Sequence, residues 1–289
     1  YGEVDLTNNS HGPISGSIYF TDYAYAPRVP APFYNLASGE TRTVRMVFAP
    51  MREKRIAQTE LVVALSNGVQ IAQTVQLSFL AAKKAGADKP VIDGVLTPGE
   101  WRSGTAIFID QADMVRTYTD YGGPADMSGK AYLMWDEEYL YVGAQVTDNI
   151  FSQTETDKYI WRGDMMQVGI FDRALEEDYR GQNFEIGLAQ TQKGTEVYRY
   201  LGIGYKIGPV EAIEASVKNT GNITVYEAKI PWEEVFEGLV EIEDGKTITF
   251  SMLINDNDGT GRRGWLEYGS GIGAAKDPSL YLDLYLAGE

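Results

Sequence analysis

The run Leu133-Met134-Trp135-Asp136-Glu137-Glu138-Tyr139-Leu140-Tyr141-Val142 sets two apolar, aromatic-rich stretches on either side of an acidic three-residue turn. Extended outward, the stretches become strands over Lys130–Trp135 and Tyr139–Thr147, joined as a hairpin. Successive side chains of a strand point to opposite faces, so Leu133 and Trp135 share one face while Tyr139, Tyr141 and Gly143 share another. The same patterning continues toward the C-terminus, with strands fitting Met166–Phe171, Phe184–Gln190, Val197–Leu201, Ile223–Ile230, Thr247–Asn255, Gly264–Tyr268 and Ser279–Leu286. Two helical turns interrupt them. Thr97-Pro98-Gly99-Glu100 has capping-box spacing, and Pro231-Trp232-Glu233-Glu234 puts acids in a first turn before Gly238.

Toward the N-terminus the pattern is again one of strands, over Ser17–Phe20, Thr41–Phe48, Glu60–Leu65 and Gln70–Leu80. Ser66-Asn67-Gly68-Val69 carries the Asn-Gly pair of a tight hairpin, whose two central residues must tolerate positive φ. Between the two regions, residues 81–90 are small and polar without a period and read as a linker. The chain is therefore expected to be all-β, with two domains: a small antiparallel β-sandwich over residues 1–86 and a larger strand-rich one over 87–289, which the resemblances given below make an immunoglobulin-like sandwich and a larger antiparallel β-sandwich.

Composition narrows the chemistry. The 289 residues are 44% hydrophobic and contain no Cys, which removes disulfides, thiolate metal sites and cysteine nucleophiles. A net charge of −16 disfavours nucleic acid and anionic membranes as partners. The charge is uneven, with 8 Lys and Arg against 6 Asp and Glu over residues 1–87 and 17 against 35 over the remainder. The single histidine, His11, lies in the turn-forming Asn-Asn-Ser-His-Gly-Pro and reads as an exposed loop residue. The chain begins at Tyr1, has no charged-then-apolar leader and no apolar run of membrane-spanning length, and reads as part of a longer protein. The adjacent acids Glu137-Glu138 and Glu233-Glu234 fall at a turn and a helix start, which are solvated positions, so a glycosidase carboxylate pair is not indicated. Haem ligation lacks a His in the larger domain, and Met165-Met166 shows no evident partner.

Several motifs occur in a fixed order: Pro90-Val91-Ile92-Asp93-Gly94 with Glu100-Trp101; the hairpin above; Val146-Thr147-Asp148; Trp161-Arg162-Gly163-Asp164 leading into Gln167-Val168-Gly169-Ile170-Phe171-Asp172; Tyr226-Glu227-Ala228-Lys229-Ile230-Pro231-Trp232; Asn255-Asp256-Asn257-Asp258; and Lys276-Asp277-Pro278-Ser279. Together they resemble a family 9 carbohydrate-binding module over about residues 88–286. The short N-terminal domain is loosely similar to the immunoglobulin-like spacers of bacterial extracellular enzymes. The resemblance implies a sandwich of two antiparallel sheets that binds sugars, often at chain ends, between aromatic side chains, and that carries structural calcium. It also implies a secreted or cell-surface protein.

A pyranose face is a patch of C–H groups that packs on a flat ring, while its hydroxyls seek carboxylates and amides. Trp161, after the polar stretch Asp157-Lys158-Tyr159 and just before a strand, is placed either as such a platform or at the edge of the core. The resemblance places Gln167 and Glu185 at polar sugar contacts, although both differ from the family pattern. It places the second stacking ring at Ala275, where no aromatic stands, so Trp265, Tyr268 or Tyr159 would have to supply it. Trp101, Trp135 and Trp232 sit in apolar alternation and read as packing residues.

For calcium, Asp256 and Asp258 lie on an oxygen-rich turn, and Asp148 and Asp93 could complete a site. The same turn could instead cap its own backbone through Asx side chains. Two functions follow. The first is non-catalytic binding to a plant or microbial polysaccharide, holding catalytic modules of the same parent chain near their substrate. The second is a structural spacer with no retained sugar site.

Overall fold

The computed structural model describes residues 2–21, 30–46, 56–78, 80–87, 89–101, 104–118, 120–175 and 183–288. It is all-β and divides into two compact units, Tyr1–Phe79 and Leu80–Glu289. In the smaller unit β1 (Gly2–Thr7) pairs antiparallel with β4 (Thr41–Met46). A second antiparallel sheet runs in the order β3 (Ala31–Leu36), β2 (Ile14–Phe20), β5 (Ile56–Leu65), β6 (Gln70–Ser78). Val44 and Met46 of the first sheet share one apolar cluster with Ile18, Phe20, Phe33 and Leu36 of the second. The strand expected through Phe48 is described as far as Met46, and residues 47 and 48 lie outside the described residues. At the hairpin only Gly68 takes positive φ, at 90°. Asn67 keeps a negative φ and instead accepts the Val69 N–H at 3.1 Å, an Asx turn that does the work expected of a second left-handed residue.

The larger unit begins with β7 (Leu80–Lys84), the stretch that small, aperiodic residues made look like a linker. It pairs in parallel with β20 (Leu282–Ala287) through Leu80 to Lys83 and with β10 (Met127–Trp135) through Lys83 and Lys84. One face of the unit is the sheet β8 (Thr105–Ile109), β10, β11 (Tyr139–Asp148), β17 (Ile223–Pro231) and β16 (Glu214–Thr220). The other runs β15 (Gly208–Pro209), β14 (Gly194–Leu201), β13 (Phe184–Thr191), β12 (Met165–Phe171), β18 (Thr247–Asp256) and β20. On this second sheet β19 (Gly264–Tyr268) adds to β18, and β9 (Val115–Arg116) adds to β19. The inner faces meet in one core that draws Leu133, Trp135, Val142 and Ala228 from the first sheet and Val168, Ile170, Ile186 and Met252 from the second.

The 133–142 hairpin forms as its alternation requires. Leu133 and Trp135 enter the core, and Tyr139 and Tyr141 turn outward to pack with Trp101. Asp136 fixes the turn: its Oδ1 accepts the N–H groups of Glu138 and Tyr139 at 2.9 and 2.8 Å, and its Oδ2 accepts the Tyr141 hydroxyl at 2.7 Å. Each of the three packing tryptophans finds a local acceptor for its indole N–H: Glu227 Oε1 for Trp101, Ala287 O for Trp135 and Asp136 O for Trp232. Pro231-Trp232 opens one short helix, Trp232–Phe236, ended by Glu237 in the left-handed region and Gly238. The last expected strand, from Ser279, begins instead as a 3-10 turn over Pro278–Leu280 before β20.

Candidate functional site

On β12 the residues Met166, Val168 and Ile170 face the core, which turns Met165, Gln167 and Gly169 to the outer face. The same parity on β13 turns Glu185, Gly187 and Ala189 outward. Gln167 and Glu185 thus lie one diagonal step apart on adjacent strands, and Gln167 Nε2 donates to Glu185 Oε1 at 2.8 Å. Both are buried, Glu185 completely. Lys276 reaches the same Oε1 from the rim, while Glu185 Oε2 has no partner. Burial pushes the Glu185 carboxyl above its ordinary range, and the Lys276 charge opposes that rise.

Above this floor lies a cleft of about 470 Å³ walled by Lys158, Tyr159, Trp161, Tyr200, Arg262, Ile272, Gly273 and Lys276. Lys158, Tyr159 and Trp161 come from a 3-10 helix, Asp157–Arg162, where the sequence suggested only a polar loop. Three side chains hold that helix by its carbonyls: Gln153 on Ile160, Asn255 on Trp161 and Asn257 on Arg162, at 2.9, 2.9 and 3.1 Å. Gly163 lets Gln153 in, since a Cβ there would lie 2.4 Å from its Oε1. A second groove, about 510 Å³, runs along Thr154 to Tyr159 with Tyr198 and Pro209, so the two meet at Lys158 and Tyr159. Asp157 and Lys276, on opposite rims, both adopt left-handed backbone, with φ of 56° and 49°. Such strain in non-glycine residues concentrates at binding sites.

The cleft therefore gathers Tyr159, Trp161 and Gln167 on its walls, with Glu185 beneath them. Trp161 is half-buried and Tyr159 is 41% exposed. Two expected ring donors lie elsewhere. Tyr268 is buried in the main core opposite Met252, because residues 265 and 268, three apart on one strand, cannot share a face. Trp265 packs in a separate cluster under the outer face, where Gly273 abuts its indole and the Arg262 guanidinium covers its ring at 4.0 Å, leaving no free platform. Ala275 is exposed and brings no ring. Sequence reasoning missed Arg262 and Tyr200. Tyr200 was detectable as an outward residue of β14, whereas Arg262 follows a glycine-rich turn with no period to place it.

A second constellation lies beside the 3-10 helix. Asp148 at the end of β11, Asp164 after the helix and Asp256 at the end of β18 bring carboxylate oxygens within 4.8 Å of one another, and all three are buried. Asp164 Oδ1 accepts the Asn257 N–H at 2.7 Å, and Asp148 Oδ1 accepts the Ile150 N–H at 2.8 Å. Asp148 Oδ2 and the nearby Asp258 Oδ1 are buried without a donor. Burial first, and the neighbouring Asp148 charge second, push Asp164 up to about 9, while burial pushes Asp256 up to about 6. The Arg263 guanidinium reaches Asp256 at 3.4 Å and also pairs with Asp258, but among the described residues no basic side chain is paired with Asp148 or Asp164, and hard oxygen donors of this kind suit Ca²⁺. Asn257 also caps its own turn, its Oδ1 accepting the Gly259 and Gly261 N–H groups at 2.9 Å each. The two readings of the turn thus divide between its residues. Asp93 is not in the cluster; its backbone N–H donates to Glu227 Oε2 at 3.1 Å, and its motif serves to pack against β17.

A two-sheet sandwich with an aromatic-lined cleft on one outer face defines a class of ligand-binding β-sandwiches. The carbohydrate family 9 binding domain-like family matches residues 92–289, and the chain belongs to that family. Among solved structures, a family 9 carbohydrate-binding module from Caldicellulosiruptor kristjanssonii in complex with cellotriose is similar in fold. Its TM-score is 0.55 at 19% identity, over 73% of this chain and 94% of that one. The glucose complex of a family 9 module from the same organism gives 0.52 at 18%, over 73% and 96%. A candidate carbohydrate-binding protein from Bacteroides uniformis gives 0.52 at 11%, over 73% and 98%. No curated protein shows significant sequence similarity to the chain.

Proposed function

We propose that the cleft on the outer face of β12 and β13 binds a carbohydrate without chemistry, and that it holds a larger secreted or surface polypeptide, with its catalytic modules, on a plant or microbial polysaccharide. The observation that carries this reading is the half-exposed pair Tyr159 and Trp161 standing over the buried Gln167–Glu185–Lys276 network. Apolar rings take the C–H face of a sugar, and preorganised polar groups orient its hydroxyls. The solved relatives bind cellotriose and glucose. The grooves that meet at Tyr159 leave room for more than one sugar residue. Affinity for a single chain end is modest, and tethering within one polypeptide supplies the rest.

Calcium, held by Asp148, Asp164 and Asp256 with Asp258 beside them, locks the turn and the 3-10 helix rather than reacting. The smaller unit serves as an immunoglobulin-like spacer. Exposed Ala275 favours one other reading, in which both units are spacers and the cleft is vestigial. Isothermal titration of the whole chain with xylo-, cello- and manno-oligosaccharides and with acidic oligosaccharides separates the two. Binding heat that weakens by about tenfold or more in Trp161→Ala, the loss of a central aromatic anchor, supports the site. No heat with any glycan leaves the spacer.

A further inference from the structure

The cleft is cationic in a unit that is otherwise strongly acidic. Lys158, Arg262 and Lys276 line it, and among the described residues no acid does. Arg162 lies at its edge, 4.6 Å from the Tyr159 ring and 5.4 Å from that of Trp161. The one carboxylate beneath, Glu185, is fully buried and already engaged by Lys276 and Gln167. The charged side chains on this lining are all donors, and its side-chain acceptors are the neutral oxygens of Gln167, Tyr159 and Tyr200.

Arg262 is the decisive residue. Its ring-facing side rests on Trp265 at 4.0 Å and approaches Trp161 at 5.8 Å. Its Nε and Nη2, the pair that forms the side-on fork of a guanidinium, have no acceptor among the described residues and are closed to solvent in the empty cleft, so a ligand reaches them only by turning the guanidinium outward. Burial lowers its pKa to about 10, a fall that the neighbouring Glu267 carboxylate only partly offsets, so it remains charged at neutral pH without a hydrogen-bonded anion of its own on that edge. A guanidinium fork matches the planar two-oxygen edge of a carboxylate bidentately, which a lone hydroxyl does not.

We propose that the cleft selects a glycan bearing carboxylates, a uronic acid residue, with Arg262 as the carboxylate receptor and Lys158 and Lys276 completing a positive rim. This rests on the carbohydrate-binding reading and narrows its ligand class.

The test is isothermal titration of the whole chain with galacturonate and cellouronate trimers, their methyl esters, cellotriose and sulfated cellotriose. Each ester keeps the sugar ring and its hydroxyls but removes the carboxylate charge and its two-oxygen acceptor edge. The acids should bind about tenfold or more tightly than the esters, as expected of a charge-assisted bidentate pair, and added NaCl should shrink that ratio. Arg262→Gln should bring the ratio close to one. If that variant does not melt cooperatively, Lys158→Gln, on an exposed rim position, carries the test and should lower the ratio several-fold. Equal binding of acid and ester, or an unchanged ratio in the variants, overturns the proposal while leaving carbohydrate binding intact. Tighter binding of the sulfated trimer than of either uronate overturns the carboxylate assignment. No binding of any saccharide overturns both this proposal and the reading beneath it.

Discussion

Trp161 was legible from its place between a polar stretch and a strand, and Gln167 and Glu185 from the family resemblance; the structure brings Trp161 and Gln167 to one cleft with Glu185 bonded beneath. Tyr268 misled because its aromatic character was weighed before its parity, which sends it to the core. Arg262 was illegible, since a turn of Asn, Asp and Gly carries no repeat that says which side chain points where. Glu185 permits a prediction at this scale. Burial holds its folded-state carboxyl above the ordinary value of 4.5, so the folded protein keeps this proton more tightly than the unfolded chain does. That contribution is fully present below the unfolded value and is lost as pH rises through the folded one. Relative to Glu185→Gln, which stays neutral, the wild-type protein should therefore lose melting temperature as pH is raised from about 4 toward 7. Melts of both proteins across that range, by circular dichroism, check the sign. A difference that grows in favour of wild type with rising pH would show the Lys276 pair outweighing burial.

Elements with strong alternation, β10, β11 and β19, emerged close to their sequence positions, whereas β7 did not. Leu80-Ala81-Ala82-Lys83-Lys84 lacks both β-branched residues and a clear period, and its strand conformation comes from ladders supplied by β20 on one side and β10 on the other. Tertiary pairing overrides weak propensity here. The element links the two sheets of the larger unit, which makes its interior sensitive. Ala82 is fully buried and paired with Leu286. Ala82→Pro removes a donor and forces φ, and a proline inside a paired strand should cost about 3 kcal/mol, by analogy with helix interiors. Scanning calorimetry should show the transition of the larger unit lowered by several degrees. An unchanged transition would mean that β7 is dispensable and that the sheets are held together by the core alone.

At the scale of the molecule, the uneven charge seen in the sequence falls on two units with separate cores. The proposed calcium site gives that separation a thermodynamic test. Asp148, Asp164 and Asp256 belong to the larger unit alone, and Asn257 ties their cluster to the helix that carries Trp161. A cation bound only by the folded state, at a hundred times its dissociation constant, adds about 2.7 kcal/mol. In a domain of roughly 200 residues that amounts to several degrees. Calcium should therefore raise one calorimetric transition and EDTA should lower it, while the transition of the smaller unit stays where it is. Because the Trp161 carbonyl is held by Asn255 at the end of β18, next to Asp256, removing the ion should also weaken oligosaccharide binding in titration. Asp256→Asn should reproduce both effects and abolish the response to EDTA. If calcium moves both transitions equally, it acts as a general ionic effect on an acidic surface. If it moves neither, the Arg263 pair with Asp256 and a proton retained on Asp164 suffice, and the fold stands without the ion.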